Sequence, residues 1–288
     1  MKIVVTGGKG MLGRTLQEEF ADAEVVVADL PEWDILDCDT FTEKLVVEKP
    51  DAVIHCAAMT KVDDCETNRE LAFRLNEEGT RNVALAAKSC GARLFAISTD
   101  YVFSGDAPKE KWAWGELDIP RPRTVYGASK FAGERMVEMI YPENSVVLRI
   151  AWLYGAGGPS FVHTMVKLGA DGNAAPLKVV DDQVGNPTSA KTVARAIRFL
   201  MSRPDVSGTV HGTCEGIVSW HGFAEEIKRL MGERFPRSIV PCKTEEFPRP
   251  APRPKNSALR KSVLNVLGYR TAPWQEALAE FIKEEFGE

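Results

Sequence analysis

Short apolar runs alternate along the first half of the chain with longer segments whose apolar residues recur every three or four positions. Ile3-Val-Val5 opens the pattern without polar alternation, which predicts a strand buried on both faces. A glycine cluster follows, and the apolar spacing from Met11 to Phe20 predicts a helix. The unit then repeats. Residues 24–29 predict a second strand, 41–47 a helix, and 51–58, Asp-Ala-Val-Ile-His-Cys-Ala-Ala, a third strand. Residues 68–90 predict one long helix with Leu71, Leu75, Val83 and Ala87 on a single face. A fourth strand is expected over 93–99, a helix over 124–134 and a further buried strand over 145–150.

Strand and helix in rotation specify the α/β class, with a Rossmann-type doubly wound parallel sheet. Beyond residue 155 the rhythm loosens. Pro, Gly and Asn punctuate 155–188 around a helix at 160–168, and a helix at 189–202 is expected to return to the sheet. Ser219 is placed to cap a helix over 220–231, with Trp220, Phe223, Ile227 and Leu230 on its apolar face. The proline-rich run 248–254 bars regular structure, and a last helix starts near Pro273. The division that follows is a dinucleotide-binding core over 1–154 and a smaller mixed α/β substrate-binding lobe from 155–188 and 208–272. Residues 189–207 and 273–288 supply helices that return to or pack on the core. The loop 106–123 is expected to cover part of the site.

Composition narrows the function. A net charge of -5 provides no long-range attraction for nucleic acid, and no apolar stretch is long enough to span a membrane. The six cysteines form no C-x-x-C pair, which reads as reduced thiols in a cytoplasmic protein. The four histidines form no zinc spacing with them, so no metal is expected. His55, inside an apolar strand, reads as a satisfied core histidine.

The candidate chemistry begins at the glycine turn. Gly8, Gly10 and Gly13 fit Gly-x-Gly-x-x-Gly, and Gly7, Gly10 and Gly13 fit an equally acceptable spacing. Such a turn lets a pyrophosphate approach the N–H groups at the helix start, here Met11 and Leu12. Asp29 ends the second strand sixteen positions after Gly13, placed either to bind the adenosine ribose hydroxyls or to cap a turn. An acid there favours NADH over NADPH without excluding the latter, since Lys9 is able to offset the repulsion of a 2'-phosphate. Asp34 and Ile35 fall at the adenine end, with a surface turn as the other reading of Asp34. Ala57 and Ala58 keep the end of the third strand small, as a cofactor lying across it requires. Asn76 reads either as a backbone partner near the site or as a solvated helix residue.

Ser98 and Thr99 end the fourth strand at the ligand-binding edge, and Tyr126 and Lys130 stand four residues apart on one helix face. A phenol has a reference pKa of about 10, and a neighbouring ammonium is expected to lower it. Tyr126 is then able to exchange a proton with a carbonyl or alcohol oxygen that Thr99 orients, while Lys130 holds the nicotinamide ribose. The hydride has to come from a nicotinamide, NADH or NADPH, because no side chain donates one.

The chain resembles the extended short-chain dehydrogenase/reductase superfamily and, within it, the dTDP-4-dehydrorhamnose reductase family, over essentially its whole length. The resemblance rests on the glycine turn, Ser98-Thr-Asp-Tyr-Val-Phe103, Tyr126-Gly-Ala-Ser-Lys130 and Gly133-Glu134. Arg149-x-x-Trp152-x-Tyr154-Gly155, Asp182-Gln-x-Gly-x-Pro-Thr188, Ser219-Trp220 and Arg253-Pro-x-Asn-Ser257 extend it. It implies reduction of the C4 keto group of a small nucleotide-sugar substrate, dTDP-4-dehydro-L-rhamnose, with Thr99, Tyr126 and Lys130 as the catalytic residues. Asp100, Tyr101 and Trp152 are then expected near the sugar, Thr60 at cofactor or sugar, and Arg253 or Arg249 at the diphosphate. Asp182 and Gln183 are expected at most to brace a loop of the lobe. Two positions depart from the family pattern. Ser160 stands where many relatives place Asn, and Thr15 where some carry a glutamate that helps bridge a dimer through magnesium. A monomer or weak homodimer is therefore expected. The alternatives are another nucleotide-sugar reductase or epimerase, or a non-catalytic subunit resembling the regulatory partner of methionine adenosyltransferase.

Overall fold

The computed structural model describes residues 1–106 and 112–287. The opening apolar run forms β1 (Lys2–Thr6), and the glycine turn leads into α1 (Met11–Glu19). β2 (Glu24–Ala28), α2 (Cys38–Glu48) and β3 (Ala52–His55) follow. α3 (Val62–Thr67) is a short helix that the apolar pattern did not announce. The helix expected over 68–90 is then broken into α4 (Arg69–Phe73), a π turn at Arg74–Glu78, and α5 (Gly79–Cys90). A π turn shifts the side chains it carries off the α-helical stripe, and here it carries the buried Asn76. β4 (Arg93–Thr99), α6 (Val125–Ile140) and β5 (Ser145–Ile150) complete the regular rotation.

The remainder is built from shorter pieces. β6 (Leu153–Tyr154), α7 (Phe161–Gly169), β7 (Leu177–Val180), β8 (Val184–Gly185) and β9 (Thr188–Ser189) precede α8 (Ala190–Met201). β10 (Gly208–His211), β11 (Val218–Ser219), α9 (Trp220–Met231) and β12 (Ile239–Cys242) follow. α10 (Ser262–Val266) and α11 (Trp274–Phe286) close the chain. Ser189 and Ser219 cap α8 and α9 through their hydroxyls, as does Thr124 for α6.

Six parallel strands form the main sheet in the order β10-β5-β4-β3-β1-β2. Alternate residues of each strand face opposite layers. Ile3, Val5, Ile54 and Leu148 pack with Leu12 and Leu16 of α1 and Val193 and Ile197 of α8. Val4, Val53, Leu94 and Val147 pack with Phe41 of α2, Val83 of α5 and Val137 of α6. From β1 the chain runs outward to β2 and then returns past β1 to β3, so a crevice opens at the carboxyl ends of β1 and β3.

The smaller lobe gathers Tyr154, Val162, Phe223, Ile227 and Phe281 into its own core, with β7 paired to β12 and β8 to β11. The boundary drawn at residue 208 shifts, because β10 pairs with β5 and Val210 enters the core of the main sheet. Leu264 of α10 joins that core as well. α11 packs its Leu278 and Phe281 into the lobe, while its Glu280 and Glu284 pair with Arg195 and Lys191 of α8. Among the described residues no helix is long and apolar enough to cross a membrane.

Candidate active site

A cavity of about 1180 Å³ runs along the carboxyl edge of the sheet beneath the lobe. Apart from Gly8 and Lys9, the residues singled out from sequence for cofactor, catalysis or sugar line it. At one end stand Gly7, Gly10, Met11, Leu12, Gly13, Asp29, Asp34 and Ile35, followed by Ala57, Ala58 and Thr60. At the other stand Ser98, Thr99, Asp100, Tyr101, Tyr126, Lys130, Trp152, Arg249 and Arg253.

The glycine turn is a cradle that a side chain would fill. Gly7 has φ 64°, and a Cβ built on it would lie 2.8 Å from the Ala57 amide nitrogen. A Cβ on Gly13 would lie 2.5 Å from Gly7 O. Gly7, Gly10 and Gly13 line the cavity, whereas Gly8, whose Cβ would lie 2.7 Å from Val27 Cγ1 of β2, does not. Asp29 accepts hydrogen bonds from the backbone N–H groups of Lys9 (2.9 Å) and Leu30 (3.0 Å). Its carboxylate is thereby fixed at the rim, where the spacing argument wanted a ribose acceptor. The Lys9 ammonium donates to Leu30 O at 2.9 Å. Asp34 Oδ1 accepts from Leu36 N–H, and the Ile35 carbonyl accepts from Asn82. The donor set suits a dinucleotide: a glycine turn at a helix start for the pyrophosphate, a carboxylate for the ribose and small residues beneath the ring.

Behind this edge the polar groups are paired. His55 bonds Thr6 Oγ1 through Nδ1 (2.7 Å) and Thr80 Oγ1 through Nε2 (3.1 Å). Burial, with Lys130 adding, pushes its pKa down to about 3, so it is neutral. Of the two readings of Asn76, backbone partner is the one observed. Its amide accepts from Met59 N–H (2.8 Å) and donates to Met59 O (3.1 Å) and Ser129 Oγ (2.9 Å). One side chain thus ties the loop after β3 to α6.

Thr124 caps α6 and places Tyr126, Lys130 and Glu134 on successive turns of one face. Glu134 takes the fork of Arg149 at 2.9 and 2.6 Å and the Ser98 hydroxyl at 2.5 Å, which pins α6 to the ends of β4 and β5. Lys130 is only 5% exposed and makes no hydrogen bond among the described residues. Burial, opposed by Glu134 and Cys56, pulls its pKa down to about 8. Tyr126 departs from expectation: burial raises its pKa, opposed only by a hydrogen bond from Thr99, and Lys130 does not lower it. Helical spacing puts the two on one face, but the loss of water sets the direction of the shift. Asp100, also buried, is pushed up to about 6 by desolvation, against the hydroxyls of Ser257 and Thr99.

On the sugar side Trp152 has φ 46° and stacks on Trp220, with ring centroids 3.5 Å apart and planes 5° apart. Its Nε1 donates to Ser257 Oγ at 3.2 Å. Arg253 lines the cavity, but its fork is committed to Asp63 of α3 at 2.9 and 2.8 Å instead of standing free for a diphosphate. This bond anchors a strap, residues 248–261, across the cavity wall, and Arg249 lies beside it. Gln183 also lines the cavity, and Asp182 and Gln183 both bond Thr244, which braces their loop. Ser160 caps α7, accepting from His163 N–H, so the departure at that position serves a helix start. None of the described residues of loop 106–123 lines the main cavity; Trp114 stacks on Phe103 and bonds the strap at Asn256 O. Residues 107–111 of that loop lie outside the described residues. Sequence reasoning gave no site role to Cys56, Phe161, Lys178, Gly157 and Trp220, which also line the cavity. Trp220 alone carried a signal, its place beside the Ser219 cap.

The sequence profile of the RmlD substrate binding domain family matches residues 1–286. The chain belongs to that family. A solved dTDP-4-dehydrorhamnose reductase from Clostridium acetobutylicum superposes on this RmlD-family chain with a TM-score of 0.93, at 42% identity over 99% of each chain. The Bacillus anthracis dTDP-4-dehydrorhamnose reductase, solved in complex with NADP, gives 0.91 at 36% identity over 99% of each chain. A Streptomyces antibioticus relative, named a probable dTDP-4,6-dihydroxy-2-methyloxan-3-one 4-ketoreductase, is 38% identical over 97% of this chain and 94% of its own. The RmlD family falls within the extended short-chain dehydrogenase/reductase superfamily that the motifs implied.

Proposed function

We propose that this protein reduces the C4 keto group of dTDP-4-dehydro-L-rhamnose, forming dTDP-L-rhamnose, with NADH or NADPH as reductant. The observation that carries the reading is that Thr99, Tyr126 and Lys130 share one cavity with the Gly7–Gly13 turn. A nicotinamide bound there supplies the hydride. Tyr126 gives its phenolic proton to the C4 oxygen as negative charge develops there. The Thr99 hydroxyl holds that oxygen. Lys130, a buried cation without a hydrogen-bond partner among the described residues, takes the nicotinamide ribose hydroxyls. Gly7, Gly10, Met11, Leu12 and Gly13 receive the pyrophosphate, and Asp29 the adenosine ribose. Asp100, Tyr101 and Trp152 face the sugar, and Arg249 takes over the diphosphate role that Arg253 gives up to Asp63. Residues 155–188 and 212–261 form the substrate lobe.

The six free cysteines support a reducing compartment, the cytoplasm. Thr15 of α1 bonds Met11 O and offers no carboxylate to a bridging magnesium, which supports a monomer or weak homodimer. The test mixes purified protein with dTDP-4-dehydro-L-rhamnose and each nicotinamide, follows loss of the reduced-nicotinamide absorbance and identifies the sugar formed. No turnover with either cofactor across the working pH range rejects the reading. The second reading, reduction of a related dTDP-linked keto sugar, is favoured by the Streptomyces antibioticus relative. Faster turnover of such a sugar in the same assay selects it.

A further inference from the structure

Thr99 stands between two acids. Its Oγ1 donates to Oδ1 of Asp100 at 3.0 Å, and on the cavity side the same hydroxyl acts on the Tyr126 phenol, holding back the rise that burial causes. The Tyr101 backbone N–H donates to the same oxygen at 3.2 Å, which fixes the hydroxyl in place. Thr99 is 4% exposed and Asp100 is 3% exposed, yet both line the cavity. Oδ2 of Asp100 has no hydrogen-bond partner among the described residues. A hydroxyl owns one proton, so Thr99 donates to only one neighbour at a time and accepts from the other. When it donates to an ionised Asp100, Tyr126 is the donor to Thr99. When Asp100 is protonated, Thr99 is free to donate to a Tyr126 phenolate.

We propose that Asp100 is the proton reserve of the reduction and recharges Tyr126 through the Thr99 hydroxyl. This rests on the reductase reading above. As the C4 oxygen becomes negative, the Tyr126 O–H bond breaks and the proton bonds to that oxygen. Once the C4 oxygen is protonated, the Thr99 hydroxyl turns from it to the phenolate, which takes the Thr99 proton, and Thr99 takes the proton of the Asp100 carboxylic acid. Two O–H bonds break and two form in the relay, leaving a phenol and a carboxylate with no change of oxidation state. Asp100 regains its proton from water when the product leaves the cavity.

Neighbouring groups leave this step a distinct signature. Asp100 is pushed up to about 6, whereas burial raises Tyr126, so the transfer to a phenolate runs downhill. Facing Asp100 are Tyr101 on its own turn, raised by burial and by Asp100 itself, and Tyr126 and Lys130 on α6, the latter near 8. Asp63 of α3 is held below the usual carboxylate range, burial opposing and the Arg253 fork prevailing. His55 titrates near 3, Cys65 near 11 and Cys56 near 12. Of these groups only Asp100 changes charge between about pH 5 and pH 7.

The test is the pH dependence of kcat for the wild type, Asp100→Asn, Asp100→Glu and Thr99→Ser. The wild type is expected to lose activity above about pH 6, approaching tenfold per unit, because the acid form is the donor. Asp100→Asn is expected to be at least about tenfold slower at pH 5.5 and flat to pH 7. Asp100→Glu and Thr99→Ser, which keep a carboxyl and a hydroxyl, are expected to keep a limb. A wild-type limb that persists in Asp100→Asn overturns the relay, as does a wild type with no limb at all. Nicotinamide affinity, read by fluorescence titration, is expected to be the same in wild type and Asp100→Asn, which separates proton supply from a damaged site. Failure of the function reading looks different: the wild type does not turn the sugar over. In that event a carboxylic-acid infrared band that titrates near pH 6 and is missing from Asp100→Asn still supports the reserve, and its absence from the wild type overturns it.

Discussion

The Ser98 hydroxyl lies 2.5 Å from Oε1 of Glu134, on the same carboxylate that holds the Arg149 fork. This joins the catalytic helix to two strand ends inside the protein, where both charges are almost fully buried. Glu134→Gln leaves Arg149 buried without its counter-charge and is expected to lose about 3–5 kcal/mol. The urea midpoint measures it. Adding Arg149→Met to Glu134→Gln is expected to return most of the loss, because no unpaired charge remains; equal midpoints for wild type and Glu134→Gln refute the argument.

Tyr126→Phe removes one hydroxyl from a helix whose cap and packing are otherwise intact. Folding and nicotinamide affinity are expected to be unchanged, while kcat falls roughly 10²–10⁴-fold, the usual worth of a positioned acid. Near-normal turnover would remove Tyr126 as the proton donor.

Lys130 illustrates a stability given up for chemistry. Its pKa lies near 8 in the folded protein against 10.5 when unperturbed, so between those values the unfolded chain binds more protons and stability rises with pH. Below about pH 8 the full penalty of burying the cation applies. Lys130→Met is therefore expected to be more stable at pH 7 by about 3 kcal/mol, a gain that shrinks as pH approaches 10. Urea unfolding at both pH values tests the sign, and loss of turnover in the same variant shows what the charge is for.

Gly7→Ala introduces both a left-handed backbone penalty and a clash with Ala57. A loss of about 1–3 kcal/mol and a weakening of nicotinamide binding by more than about tenfold are expected. Gly91→Ala is the control, since Gly91 has φ 72° but nothing lies within 4 Å of its Cβ position. It is expected to lose about 1 kcal/mol and to leave nicotinamide affinity alone. Equal affinity losses in both variants would mean that close approach at the turn is irrelevant.

Asp29→Ala is expected to weaken NADH by about tenfold and NADPH by less, because only the unphosphorylated ribose gains from a carboxylate there. Calorimetric titration with each nucleotide decides it. A parallel loss would place Asp29 as a brace for the Lys9 and Leu30 backbone and nothing more.

The sheet was legible because parallel strands buried on both faces are written as apolar runs, as in Ile3–Val5 and Val146–Leu148. β10 was not, since Gly208-Thr-Val-His211 holds one apolar residue and is placed by its register with β5. The break at Arg74–Glu78 was hidden because Leu71, Leu75 and Val83 carry a helical spacing straight through it. The turn carries Asn76 to partners at Met59 and Ser129 that lie far from it in sequence. The proximity of Tyr126 and Lys130 could be counted along a helix, but the direction of the phenol's shift depends on burial, which spacing does not encode. The pairing of Asp63 with Arg253 had no local signal, the two being separated by 190 positions.

That separation governs when the site is finished. Synthesis proceeds from the amino terminus, and Thr99, Asp100, Tyr126 and Lys130 have all emerged long before the strap that Arg253 fastens to α3. A nascent or proteolytically clipped chain ending before residue 248 keeps every one of those groups but lacks the strap, as well as Leu264 of the main core and Leu278 and Phe281 of the lobe core. The strap is thus among the last segments to emerge, with only α10 and α11 to follow it.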